Sequence, residues 1–101
     1  MTKSVVEVVT FKLAQNVSPD DFIESAKAVN QMLDNTEGFV RRHLSVADDG
    51  VWTDHIEWQS LEQAQSASEK LMQYAAAKPF MAAIDGDSVS MGHNTLKMSH
   101  A

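Results

Sequence analysis

The residues best suited to chemistry gather in one stretch of β-type sequence. In Trp52-Thr53-Asp54-His55-Ile56-Glu57-Trp58 the side chains alternate, which sets Trp52, Asp54, Ile56 and Trp58 on one side and Thr53, His55 and Glu57 on the other. A carboxylate held among indoles and an isoleucine is desolvated, which raises its pKa, while a neighbouring guanidinium lowers it again. The balance decides whether Asp54 works as a general base or acid near neutrality, and Arg42 on the preceding run is the guanidinium within reach. Asp54 and Arg42 are therefore the candidate catalytic residues. A structural ion pair at the rim of the core is the competing duty, because such pairs perturb pKa values as well. Trp52 and Trp58 are candidate substrate-binding walls of a flat pocket, in competition with plain core packing, which is itself strongly stabilising for a buried aromatic.

The opposite side of the same stretch carries His55 and Glu57, joined by Arg41 and His43 from the preceding run. Two cross-strand imidazoles beside a carboxylate are one way to build a metal or proton-transfer site, with His93 on the last strand able to approach. No helical His pair strengthens that spacing, so no metal is assigned. The chain also has no Cys, which removes disulfides, thiol catalysis and thiolate ligation. Gly38, Gly50, Gly86 and Gly92 stand alone, so no phosphate-cradling loop is present, and no Gly-x-Ser-x-Gly elbow occurs. The Met residues are dispersed and fit adaptable core filling.

These residues need elements to hold them. Val5 to Leu13 is β-branched and aromatic with a single acid, and reads as a strand with apolar residues on both faces. Ser18-Pro19-Asp20-Asp21 combines an N-cap hydroxyl, a proline at the first helical position and two carboxylates against the helix dipole. Phe22, Ala26, Val29 and Leu33 continue that helix until Asn35-Thr36-Glu37-Gly38 ends it, with Gly38 as a left-handed cap. Two β-type runs, Phe39 to Ala47 and Val51 to Trp58, flank Asp48-Asp49-Gly50. A three-residue loop with Gly50 left-handed puts Ala47 opposite Val51. That register aligns Val46 with Trp52, Leu44 with Asp54, Arg42 with Ile56 and Val40 with Trp58, so the large apolar groups share one face; the other holds Ser45 with Thr53, His43 with His55 and Arg41 with Glu57. Ser60 and Gln63 have capping-box spacing at the head of a helix running to about Ala77, where Lys78-Pro79 breaks it. Phe80 to Ile84 reads as a short helical piece, and Ser88 to about Met98 as a last strand in which Gly92 marks a bulge.

The chain has 101 residues, 44% of them hydrophobic and 22% charged, which suits one globular domain spanning residues 1–101 and excludes disordered or fibrous classes. Its formal net charge of −6 argues against nucleic acid as a partner. No apolar run approaches the roughly 18 residues a membrane span requires, and the start of the chain lacks a signal-type apolar core, so a cytoplasmic protein with no membrane partner is expected. The element order strand, helix, strand, strand, helix, strand folds as a ferredoxin-like βαββαβ α+β unit, a four-stranded antiparallel sheet with both helices on one face. A first strand apolar on both sides leaves an uncovered face that calls for a partner, which predicts a homodimer in which two sheets meet.

Phe39 after Gly38, the run Ile56-Glu57-Trp58-Gln59-Ser60-Leu61-Glu62-Gln63-Ala64, and Pro79-Phe80 resemble the antibiotic-biosynthesis-monooxygenase-like group of the dimeric α+β barrel superfamily. The resemblance spans nearly the whole chain. It implies a small-molecule ligand and, if the protein is an enzyme, quinone-forming oxygenation without a bound cofactor. Asp54 would then assist deprotonation, Arg42 would stabilise the anion and Trp58 would orient the ring. A non-catalytic ligand-binding or oligomerisation module of the same fold is the alternative. The haem-degrading branch uses a Trp at the end of the third strand, matched by Trp58, but also an Asn in the first strand and a His in the second helix, and neither stands in Val5–Leu13 or Leu61–Ala77.

Overall fold

The computed structural model describes residues 3–101. Four strands, β1 (Val5–Phe11), β2 (Phe39–Val46), β3 (Trp52–Trp58) and β4 (Ser90–Thr95), form one antiparallel sheet in the order β2-β3-β1-β4. Helices α1 (Pro19–Asp34), α2 (Leu61–Gln73) and α3 (Lys78–Ala82) pack on one face of it. This is the ferredoxin-like arrangement that the order of sequence patterns predicts.

Local chemistry accounts for the helix starts. The Ser18 hydroxyl accepts from the Asp21 amide at 3.1 Å, and the Ser60 hydroxyl accepts from the Gln63 amide at 3.2 Å, each satisfying a donor left orphaned by the first turn. The hairpin forms as expected: Ala47 and Val51 pair, and Gly50 takes φ +86°. Its register matches the expectation from Arg41–Glu57 to Val46–Trp52. At the far end it does not. Phe39, not Val40, lies opposite Trp58, because an irregularity between Phe39 and Arg41 leaves one extra residue in β2. The shift brings the Phe39 ring edge-on to Trp58 at 5.8 Å between centroids.

Three other boundaries differ from the sequence reading. Helix α2 stops at Gln73, since Tyr74 turns extended (φ −83°, ψ 112°), and a single tight turn over Ala75–Ala77 leads into α3. Pro79 therefore does not break a helix; it sits in the first turn of α3, where a missing N–H costs nothing. β1 ends at Phe11, and Lys12 to Ala14 instead pair with the segment after α3, through Asp85 N–H to the Lys12 carbonyl and Ala14 N–H to the Ala83 carbonyl. β4 is shorter than expected and pairs with β1 in unbroken register through Gly92–Val8, so Gly92 marks no bulge.

The core sits between helices and sheet. Phe22, with none of its surface exposed, contacts Phe11, Trp52 and Phe80 at centroid distances of 5.5, 4.9 and 5.3 Å. The other sheet face carries Val6, Val8 and Thr10 of β1 with the His43–His55 and Arg41–Glu57 pairs, and no helix among the described residues covers it. No helix among the described residues is long and apolar enough to cross a membrane.

Candidate functional site

Strand alternation decides what faces the helices. On β3 these are Trp52, Asp54, Ile56 and Trp58, all buried, as expected. On β1 the same face carries Val5, Glu7, Val9 and Phe11, so the strand's single acid points into the core layer.

Asp54 and Arg42 meet as a bidentate pair: Arg42 Nε donates to Oδ1 at 2.9 Å and Nη2 to Oδ2 at 2.7 Å, with side chains only 8% (Arg42) and 7% (Asp54) exposed. Arg42 Nη1 also donates to the Ala26 carbonyl and to Asn30 Oδ1, each at 2.9 Å, and the guanidinium lies over the Phe80 ring. Four of the five donor positions of a guanidinium are thus taken by the protein. The pair joins β2, β3 and α1 inside the layer, deeper than a rim position.

Glu7 is the residue that the sequence reading passed over. It is 7% exposed, and its Oε1 accepts a hydrogen bond from the indole Nε1–H of Trp58 at 3.1 Å. Burial pushes the Glu7 carboxyl above its ordinary range, the Trp58 hydrogen bond and the charge of His93 draw it partly back, and the charge of Asp54 adds to the rise. The sequence held a signal for it: an acid between Val5 and Val9 on a strand face otherwise filled with Val and Phe has no solvated position to take.

Both carboxylates open on a cavity of about 300 Å³ between the sheet and the two C-terminal helices. Its walls are mainly apolar, with Phe11, Ile56, Leu71, Phe80 and Ile84 inside and the exposed Met72, Met81 and Met91 at the mouth. A smaller space of about 40 Å³ shares Glu7, Asp54 and Ser68 with it and reaches inward to Arg42 and Trp58. Trp58 therefore borders the cleft. Trp52 does not line it, being packed against Phe22 on the far side of the core.

The histidines separate. His43 and His55 face each other on the uncovered side with centroids 6.1 Å apart, and Arg41 Nε lies 3.3 Å from Glu57 Oε1 beside them. His93 does not approach this pair, because it is aligned with Glu7 across β1–β4 and so shares the helix-side face. Buried nitrogens of His55 (Nδ1) and His93 (Nε2) have no hydrogen-bond partner. Among the described residues no group of three or more His, Cys, Asp or Glu is placed to hold a metal ion.

The antiparallel ferredoxin-like layer defines the fold class of this protein, and an apolar cleft with carboxylates at its floor lies under the helices. Among solved structures the chain is similar to SnoaB from Streptomyces nogalater, a cofactor-independent oxygenase, at 17% identity over 97% of each chain and a TM-score of 0.78. It is also similar to a protein from Bordetella bronchiseptica named for the antibiotic biosynthesis monooxygenases, at 13% identity over 96% of this chain and 100% of that one, TM-score 0.73. A conserved protein from Methanosarcina mazei Go1 aligns at 11% identity over 95% of each chain, TM-score 0.70. The chain thus has the fold of the antibiotic-biosynthesis-monooxygenase-like structures. No protein-family model and no curated protein matches its sequence.

Proposed function

We propose that this chain is an antibiotic-biosynthesis-monooxygenase-like protein that pairs with a second copy through the uncovered sheet faces and binds a small aromatic molecule in the cleft of each subunit. The observation that carries the reading is the cavity of about 300 Å³, apolar-walled and floored by a buried carboxylate without an ion-pair partner. Glu7, rather than Asp54, is then the base: Asp54 has both oxygens occupied by Arg42, whereas Glu7 keeps an oxygen free, and burial raises its proton affinity. The Trp58 indole holds that carboxylate in place. Arg42 and Asp54 form the inner wall, with Trp58 beside them and Trp52 in the supporting core.

In quinone-forming oxygenation a ring methylene and O2 become a carbonyl and water, so the substrate supplies all the electrons and no cofactor is required. The protein has to remove a proton, keep the site dry and hold the ring. A thermal-shift screen of phenols, quinones, flavin and haem tests the binding, since a ligand of the folded state present at a hundredfold excess over its Kd raises Tm by on the order of 10 °C in a domain this size. Oxygen uptake with the phenolic hits then tests the chemistry. Glu7→Gln should abolish turnover while the variant stays folded. A screen without a phenol or quinone hit, or full turnover by Glu7→Gln, would refute the reading.

A further inference from the structure

The charges around the cleft are lopsided. Among the described residues Glu7 and Asp54 are the charged side chains that line the main cavity, and no Lys, Arg or His belongs to its walls. The one cation of the inner extension, Arg42, is bound on both of its forks to Asp54, Ala26 and Asn30. His93, across the strand from Glu7, draws the Glu7 carboxyl partly back toward its ordinary range but is not a wall residue, so it offers a ligand no contact. Once the Arg42–Asp54 pair cancels, one negative charge remains at the floor of an apolar chamber, with a single neutral donor, the Trp58 indole, directed at it. A like charge brought into such a chamber meets no cation in its walls and faces Glu7 at low dielectric, whereas an O–H group finds an acceptor.

We infer that this cleft selects its ligand by charge: it takes an uncharged apolar molecule whose hydroxyl donates to Glu7, and it excludes carboxylates, sulfonates and phosphates of the same shape. The inference rests on the cleft being the ligand site and makes Glu7 its specificity-determining residue. Unlike the aromatic body, which the walls accept through shape and burial, the anionic group is refused by one carboxylate. That refusal is separable from binding itself.

Titration of the native protein with 1-naphthol and 1-naphthoate at pH 7, followed by calorimetry, separates the two. The native chain should bind 1-naphthol at least about tenfold more tightly than 1-naphthoate, since like-charge contacts at a desolvated site are strongly unfavourable. Glu7→Gln should keep 1-naphthol, because the amide oxygen still accepts, and should close most of the gap to 1-naphthoate. Met91→Lys, a change at an exposed position on the cavity mouth, supplies a counter-charge without touching the buried layer and should raise 1-naphthoate affinity selectively. It serves equally if the Gln variant does not fold. Equal binding of the two probes by the native chain, or a gap that neither variant narrows, overturns charge selection while leaving the cleft as a binding site. Binding of neither probe overturns the cleft reading and the inference together.

Discussion

Burial of Glu7 disfavours the charged form of its carboxyl. Its carboxyl titrates above the ordinary range mainly through desolvation, so the folded state holds the proton more tightly than the unfolded chain does. For a carboxyl raised in this way the favourable contribution to stability is complete below the unfolded pKa and is lost as pH rises through the folded one. Glu7→Gln, which keeps an acceptor for the Trp58 indole but never ionises, should therefore gain stability relative to the native chain as pH rises from about 4.5 to about 7.5, read by urea unfolding at both pH values. A stability difference that stays flat with pH would mean that Glu7 is better solvated than its surroundings indicate. Asp54 behaves oppositely on removal, because its partner cannot discharge. Asp54→Asn leaves the 8%-exposed Arg42 without its counter-ion and should cost about 3–5 kcal/mol, whereas the double change Arg42→Met/Asp54→Leu should recover most of it. Equal losses in the single and double variants would show that packing, not charge, dominates there.

At the scale of elements, residues that act through periodicity or caps were legible, and those that act through tertiary compensation were not. Ser18 and Ser60 cap the helices that their sequence contexts announce, and the hairpin register follows from keeping Trp52, Ile56 and Trp58 on one face. The extra residue at Val40 was invisible because it depends on Phe39 reaching Trp58, a contact that no local pattern encodes. Tyr74 and Pro79 exchanged roles for a similar reason: proline both ends and begins helices, and only the preceding turn shows which. The Arg42–Asp54 pair was readable from the register; the burial of Glu7 was implied by the same alternation and overlooked, since a lone acid in a strand suggests a solvated edge. Gly38 tests this level. It takes φ +92°, and a Cβ there would run into the side chain of Gln63, whose amide oxygen accepts from the Ser60 hydroxyl that caps α2. Gly50 has φ +86° with nothing within 4 Å of such a Cβ. Gly50→Ala should therefore cost about 1–2 kcal/mol from the backbone alone, and Gly38→Ala distinctly more, the excess measuring the clash. Equal Tm losses would mean that Gln63 swings away freely.

For the whole molecule the outstanding demand is the uncovered sheet face. In the single chain it exposes Val8 in part beside His55, whose Nδ1 is buried and unpartnered, within a frame of paired charges at Arg41 and Glu57. A second copy laid on this face by a two-fold axis would remove Val8 from water twice over and set complementary charges around it, the pattern of an apolar centre with a polar rim. Val8→Glu is a discriminating change, because in an isolated subunit the new carboxylate extends into solvent, whereas at a two-fold interface it meets its own image or is buried without a cation. Light scattering at micromolar concentration should give the mass of two chains for the native protein and of one for Val8→Glu, with unchanged circular dichroism. A native monomer would remove the dimer from the proposed function but leave the cleft, which is built wholly within one chain. A Val8→Glu dimer would move the contact to another surface, and the apolar groove of Ile23 and Leu44 between α1 and β2 is where disruption should be sought next.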